Sequence, residues 1–305
     1  LRPCIEEYAE CMHVTTEEAY AILKKNYDGY RFSENGKNVY APFSLLRALA
    51  CNSTKYYWFE SGTMSSLIEH LKHYSLQATF EYDGVEVREN EFNMSCEQAD
   101  TPMPLLYQSG YLTIDSYDAL LNLYILRIPN LEVRDGMING LMPLILRRTT
   151  ADGTALVSQM ARAVLKGDLS GALMALRAYI ANIPYDVISK EEWESKEGRE
   201  KFYQLLFYMA FSMLNATVDT EVKSILGRAD VVMQTKTDVF VLELKVDDTV
   251  ESALAQIDSK GYAIPYEADG RTVTKCGVSI SSEQRNITHW RTVDTEGNVM
   301  DEQRF

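Results

Sequence analysis

The pattern of apolar and polar residues predicts a mostly helical first half of the chain. Four stretches have the spacing of amphipathic helices, and the first opens with Thr15 and two early Glu residues, as helix starts prefer. These stretches are 15–30, 41–50, 62–74 and 130–148. Before the last of them, residues 111–117 and 120–128 carry strand-forming residues around a short turn, which predicts a β-hairpin.

The second half alternates helical and strand patterns, which predicts an α/β domain with a mixed sheet. Helices are predicted at 155–168, 169–183, 201–215 and 249–267. Strands are predicted at 221–234, 239–246 and 272–281. The polar stretch 149–154 contains a Gly and marks a domain boundary, so we predict an α+β region over 1–148, mostly helical with one hairpin, and the α/β domain over 149–305.

Composition excludes some classes of protein. No apolar run approaches the length of a membrane span, and five cysteines without a CxxC pair favour a reduced, cytoplasmic protein. The net charge of −14 argues against a broad electrostatic grip on nucleic acid. Residues 196–305 carry −5 of it, so the acidity lies mostly elsewhere. The chain begins at Leu1 rather than Met, and we expect it to be part of a longer protein.

One strand places charged residues in an apolar run. In 239–246, "VFVLELKV", side chains alternate between the two faces of the strand, so Glu243 and Lys245 share a face. Asp230 lies near the start of the preceding strand, and the intervening "TKTD" is short enough for a hairpin turn. If the two strands pair, Asp230 and Glu243 converge at one end of the sheet with Lys245 beside them.

Two partly buried carboxylates and an ammonium cost desolvation energy unless something compensates. A divalent cation would do so, because Mg²⁺ takes oxygen ligands from carboxylates and keeps several waters. Asp230 and Glu243 could hold Mg²⁺ or Mn²⁺, and the backbone carbonyl of Leu244 could supply a third oxygen. Such a metal makes water a better nucleophile, and Lys245 could orient that water or stabilise charge on a phosphate. The pattern predicts phosphodiester cleavage.

A simpler interpretation is also open. Strands often alternate charge on a solvated face, so Glu243 and Lys245 could form an ordinary ion pair, with Asp230 ending a turn. The surroundings favour the metal site, because "VFVLEL" is apolar on both faces up to Glu243 and therefore predicts a central strand. A helix containing Gln256 follows at short range.

Longer strings make the comparison more specific. "GRADVVMQTKTDVFVLELKV" (227–246) followed by "ALAQIDSKGYAIPYE" (253–267) resembles the PD-(D/E)XK nuclease superfamily, in the branch fused behind an AAA-ATPase-like domain. "NYDGYRFS", "VYAPFSLLRAL", "YYWFESGT" and "LLYQSGYLTI" resemble the C-terminal part of that ATPase-like domain. The sequence contains no GxxxxGK[ST] motif, so the resemblance implies that the phosphate-binding loop precedes Leu1 and that this chain alone does not hydrolyse ATP.

The resemblance implies a restriction-endonuclease-like mixed sheet over 149–305 and a role for each matching residue. It implies that Asp230, Glu243 and Lys245 are catalytic. It implies supporting roles for Gln256 and Tyr262. Superfamily members often carry an acidic residue on the first core helix, where this chain offers Gln204 with Glu200 a turn earlier, and that difference leaves a second metal ion in question.

These observations predict a Mg²⁺-dependent deoxyribonuclease, with DNA favoured over RNA, working with an ATPase-like part of the same protein and without a membrane. Arg228 could contact a phosphate or pair with Glu221. The alternative is a non-catalytic module that docks nucleic acid or a protein for an ATPase machine. The acidic balance and the absent carboxylate on the first helix favour that alternative, whereas an intact Lys245 argues against it.

Overall fold

The computed structural model divides the chain into two compact units, Leu1–Gly140 and Leu141–Phe305. None of the helices in its described part is both long and apolar enough to cross a membrane. The predicted helix at 62–74 lies mostly outside that part. The structure describes residues 2–58, 67, 70, 71, 74, 84–146, 150–216, 221–223, 229–268 and 270–305.

The first unit combines helices with a three-stranded antiparallel sheet of order β1-β3-β2. Its helices are α1 (Arg2–Met12), α2 (Thr16–Tyr27), α3 (Pro42–Cys51), α4 (Glu89–Phe92) and α5 (Met103–Gln108). Its strands are β1 (Val85–Val87), β2 (Thr113–Asp118) and β3 (Leu123–Arg127). The pairing of β2 with β3 confirms the predicted hairpin. Strand β1 is an addition that sequence pattern does not predict, because three residues are too few to show alternation.

The start of α2 follows from a capping box. The Thr15 hydroxyl accepts from the Glu18 N–H at 3.2 Å, and the Glu18 carboxylate accepts from the Thr15 N–H at 2.8 Å. The helix then packs its apolar stripe against α1 and α3 in a buried cluster that includes Tyr8, Leu23 and Leu49. The predicted helix at 15–30 is therefore confirmed, ending at Tyr27.

The division between the units falls within α6 (Leu131–Leu146). The helices that follow are α7 (Thr150–Val164), α8 (Leu169–Ile180), α9 (Lys190–Glu194), α10 (Lys196–Ser212) and α11 (Val250–Lys260). The strands are β4 (Glu221–Lys223), β5 (Val231–Gln234), β6 (Asp238–Val246), β7 (Thr272–Ser281), β8 (Asn286–Val293) and β9 (Val299–Arg304). Most of the polar stretch 149–154 is helical, as the beginning of α7.

The six strands of the second unit form one mixed sheet of order β4-β5-β6-β7-β8-β9. Only β6 and β7 run parallel in it, and α11 is the crossover between them; each other neighbouring pair is antiparallel. Helix α10 packs against β4, β5 and β6, and α11 packs against β6, β7 and β8. The predicted α/β class with a restriction-endonuclease-like mixed sheet is confirmed.

The predicted order of elements after residue 195 is wrong in two places. The single strand predicted at 221–234 contains two strands, β4 and β5, which pair with each other, and the end of the order is incomplete. Two further strands, β8 and β9, extend the sheet beyond β7. Strand β8 mixes apolar residues with His289 and Arg291, and the Glu302 carboxylate on β9 lies 2.7 Å from His289 Nε2 and 2.9 Å from Arg291 Nη2. Because that partner lies on the next strand, 13 and 11 positions further along the chain, the pattern of β8 by itself does not predict a buried strand.

Strand β6 is central, with β5 on one side and β7 on the other. Its face toward α11 packs into an apolar cluster that contains Val239, Val241 and Ile257. Glu243 lies two residues after Val241 on the same face, and Lys245 two residues after Glu243, beyond the apolar cluster. The apolar first half of β6 therefore fixes the position of the second half, which carries Glu243 and Lys245.

Gly277 on β7 sets the close approach of α11 to the sheet. A Cβ at this position would lie 2.5 Å from the Val250 carbonyl oxygen and 3.1 Å from the Leu254 side chain. We expect Gly277→Ala to lower the free energy of unfolding by roughly 3 kcal/mol, at the upper end for overpacking, because a helix backbone must move. Urea unfolding measures this change.

Gly153 on α7 provides a matched control. A Cβ there would meet only a Met213 methyl group at 4.0 Å. Gly153→Ala is expected to raise the free energy of unfolding by roughly 0.5–1 kcal/mol, because Ala has the higher helix propensity. Equal effects of the two substitutions would show that α11 does not press on Gly277.

Candidate active site

Asp230 lies immediately before β5 and is fixed by two donors. Its Oδ2 accepts the backbone N–H of Leu244 on β6 at 2.7 Å, and its Oδ1 accepts Nε2 of Gln204 on α10 at 2.8 Å. The residue is only 9% exposed. The antiparallel pairing of β5 with β6, with Val231 opposite Leu242, brings it there across the predicted hairpin.

Glu243 and Lys245 extend from the face of β6 that bears α11. Lys245 Nζ donates to Glu243 Oε1 at 3.2 Å and to Oε1 of Gln256 on α11 at 2.6 Å. Glu243 is 2% exposed, and its second oxygen, Oε2, is buried and accepts no hydrogen bond from the described residues. Such an orphaned carboxylate oxygen is costly unless a ligand completes it.

The two carboxylates share a low-dielectric environment. The pKa of Asp230 is raised to about 7, mainly by burial and then by the neighbouring Glu243 carboxylate, against the effect of its hydrogen bonds and of Lys245. Burial also raises the pKa of Glu243, and Lys245 opposes this. Because one ammonium does not offset two buried carboxylates, the ionised pair needs further positive charge.

The residues present fit a divalent cation. Asp230 and Glu243 offer hard oxygen ligands, and Glu243 Oε2 is free to coordinate. Leu244 lies beyond the last β5–β6 pair and directs its N–H to Asp230, so its carbonyl also lies on the Asp230 side of β6. In the described ranges no group of three or more His, Cys, Asp or Glu side chains could hold a metal ion. The fit therefore rests on two carboxylates and one carbonyl.

The residues predicted to support the site have different positions relative to its charged groups. Gln204 and Gln256 each hold one of the charged groups, Asp230 and Lys245 respectively. Tyr262 packs against the apolar cluster between β6 and α11, so it supports the helix rather than the carboxylates. Glu200 pairs with Lys196 at 3.7 Å, one helical turn before Gln204. Arg228 lies outside the described residues.

Sequence patterns do not reveal the link that follows β6. Asp247 has a left-handed φ of 55°, accepts the Ser282 N–H at 2.8 Å, and lies 3.7 Å from the Arg199 guanidinium on α10. It thereby joins the end of β6 to α10 and to the β7–β8 turn. Since its partners are 48 and 35 positions away, spacing along the chain carries no signal for it.

Comparison with known families finds a similarity in this region. Residues 198–290 match the family model of the PD-(D/E)XK nuclease superfamily. The match runs from α10 into β8 and includes all the predicted site residues. The superfamily resemblance given by the sequence motifs is confirmed for this segment.

A longer relative covers most of the chain. The "Uncharacterized protein in vnfD 5'region" of Azotobacter chroococcum mcd 1 is 29% identical over 272 residues, which are 86% of this chain and 50% of that protein. The chain thus spans about half the length of this curated relative. No solved structure matches the chain.

Proposed function

We propose that the C-terminal unit is a metal-dependent nuclease that hydrolyses phosphodiester bonds, of DNA in preference to RNA. One observation carries the proposal: Asp230 and Glu243 are both buried, and Glu243 Oε2 accepts no hydrogen bond from the described residues at the point where Lys245 is held. The match of 198–290 to a nuclease superfamily supports the same conclusion.

Each residue then has a distinct task. Asp230, Glu243 and the Leu244 carbonyl would hold Mg²⁺ or Mn²⁺, which supplies Lewis-acid stabilisation of phosphate charge. Gln204 fixes the Asp230 carboxylate through its Oδ1. Lys245, with a side chain 17% exposed, presents its ammonium to substrate and donates to a phosphate oxygen as negative charge develops.

Gln256 acts as a positioning residue for Lys245. Its Oε1 accepts from Nζ at 2.6 Å, so it holds the ammonium without contacting substrate. We expect Gln256→Leu, which has similar size but no acceptor, to lower kcat about tenfold with little change in KM. Gln256→Glu retains an acceptor and should restore part of the rate, whereas a loss of packing alone would not be rescued.

A non-catalytic docking module is the second candidate. It is favoured by Gln204, since an amide on α10 bonds to Asp230 where superfamily members often carry a carboxylate. Such a module should bind nucleic acid or protein equally well with and without divalent metal. The resemblance of the first unit to an ATPase-like domain supports the further proposal that either activity works with an ATPase-like part of a longer protein.

A cleavage assay separates the two functions. The whole chain is incubated with supercoiled DNA, single-stranded DNA and RNA of matched sequence, in Mg²⁺, in Mn²⁺ and in EDTA. The nuclease proposal expects metal-dependent cleavage that is faster on DNA than on RNA. Cleavage that persists in EDTA would contradict a metal mechanism, and binding with no cleavage in either metal would favour docking.

A further inference from the structure

The second unit contains an aromatic pocket that none of the candidate catalytic residues lines. The cavity has a volume of about 200 Å³ and lies between the end of α8, helices α9 and α10, and the β7–β8 turn. Tyr185, Trp193 and Tyr203 contribute aromatic walls, and Arg285 closes one side. The volume is below that of drug-sized ligand sites, so it suits one planar ring system rather than a whole cofactor.

Arg285 is held by aromatic faces instead of carboxylates. Its guanidinium carbon lies 4.0 Å from the Trp193 ring centroid and 4.4 Å from that of Tyr185, and Nη1 donates to the Tyr185 carbonyl at 3.2 Å. The salt bridges found among the described residues do not include Arg285. The residue also adopts a left-handed φ of 50°, a costly conformation for a non-glycine residue. This strained turn thus presents a cation whose contacts in the described part of the chain are two aromatic rings and a backbone carbonyl.

Two connections join the pocket to the candidate catalytic strand. On α10, Tyr203 lines the pocket and the next residue, Gln204, holds Asp230. The β7–β8 turn carries Arg285, and its Ser282 N–H is bonded to Asp247, two residues after Lys245. The pocket and the carboxylates therefore share supporting elements at the same end of β6.

We propose that this pocket binds the base of an unpaired nucleotide next to the scissile phosphate, with Arg285 contacting the phosphate of that nucleotide. The inference rests on the proposed nuclease function and specifies its substrate: a single strand, or a duplex with an unpaired base at the cut. A base within a duplex is stacked between its neighbours and cannot enter the pocket without leaving the helix.

Charge and ring chemistry favour this occupant. Aromatic side chains with an adjacent arginine are the means by which proteins hold single strands without reading sequence, since every base has a π face. The guanidinium supplies the complementary charge for a phosphate. Tyr185 is 74% exposed, so an incoming base meets an accessible ring instead of a closed core.

Binding measurements in EDTA test the pocket without cleavage. A fluorescent 12-nucleotide single strand and the matching duplex are titrated with the full chain and with Tyr185→Ala and Trp193→Leu. Each variant is expected to bind the single strand about tenfold more weakly, with duplex affinity unchanged, because one base–aromatic stack is lost. Tyr185 is exposed, so its variant retains the fold even if Trp193→Leu does not. Tyr20→Ala, at a half-exposed tyrosine on α2, is the matched control and should bind like wild type.

An abasic substitution locates the base. Placed at each position of the strand in turn, it should weaken single-strand binding by wild type about tenfold at the position that occupies the pocket and cost Trp193→Leu nothing further. Unchanged single-strand affinity of Tyr185→Ala and Trp193→Leu would overturn the proposal that the pocket binds an unpaired base. Equal losses of affinity for single strand and duplex would overturn it as well. If the wild type never cleaves but these binding losses occur, the nuclease proposal fails and the nucleotide pocket stands.

Discussion

Glu243→Gln is expected to reduce metal-dependent cleavage by about 10³-fold while leaving the fold intact. Gln has the same shape and can still accept from Lys245 Nζ through its amide oxygen, which replaces Oε1 of the present pair. The substitution removes the negative charge and places an amide nitrogen where Glu243 has Oε2. The site then loses the stabilisation of phosphate charge that a bound metal supplies, which is several kcal/mol.

Initial rates of nicking of supercoiled DNA in Mg²⁺ measure this effect. Glu267→Gln, at an exposed glutamate of the same unit, is the matched control and should cleave like wild type. Circular dichroism and urea unfolding establish that both variants are folded. A Glu243→Gln protein that cleaves as fast as wild type would rule out the assigned site and leave any nuclease activity to other residues.

Without metal, the stability of the wild type relative to Asp230→Asn is expected to fall by a few kcal/mol as pH rises from 4 to 8. The pKa of Asp230 is about 7 in the folded chain and 3.8 for an ordinary aspartate. The folded state therefore holds a proton that the unfolded state releases between these values. The associated stability is fully present below pH ~4 and is lost as pH rises through ~7.

Urea unfolding in EDTA at pH 4.5, 6 and 8 checks this sign. The pKa values of the other carboxylates are shifted in both directions. Their contributions to the pH dependence of stability are removed by taking the difference between wild type and Asp230→Asn. Mg²⁺ or Mn²⁺ added at pH 8 should stabilise the wild type and not the variant, because the metal requires ionised ligands. Parallel pH curves for the two proteins would contradict a buried, charge-strained Asp230.

The proximity of the three charged residues could be predicted from strand alternation and turn length. The hydrogen bonds that hold them in place could not. Alternation along β6 and a short turn suffice to bring Asp230 near Glu243 and Lys245. The partners that fix them depend on how α10 and α11 pack, and no spacing in the sequence encodes that Gln204 reaches Asp230 while Gln256 reaches Lys245. The family resemblance, rather than periodicity, pointed to both glutamines.

The missed strands have a physical explanation. Strand β9 is an edge strand with polar residues at most positions, and β8 carries Arg291, which pairs with Glu302 on β9 and Glu251 on α11. Edge strands commonly carry charge, which protects against pairing with other chains and hides the period-two pattern. Sequence patterns therefore predict the apolar centre of this sheet and fail where ion pairs with neighbouring elements replace apolar contacts.

The net charge of −14 is compatible with the proposed substrate. The acidic residues 230 and 243 are the ones that a cation would neutralise, and Lys245 and Arg285 present positive groups at the same end of the sheet. With a metal ion bound, the local charge at the site is therefore less negative than the average over the protein surface. Cleavage should weaken with increasing salt, because phosphate contacts of this kind are screened.

Calorimetric titration with Mn²⁺ at pH 8 tests the central claim most directly. The wild type is predicted to bind the ion, and Asp230→Asn is predicted to lose that binding, because one of two carboxylate ligands becomes neutral. Equal Mn²⁺ affinity in the two proteins would contradict the claim that Asp230 and Glu243 together form a metal site.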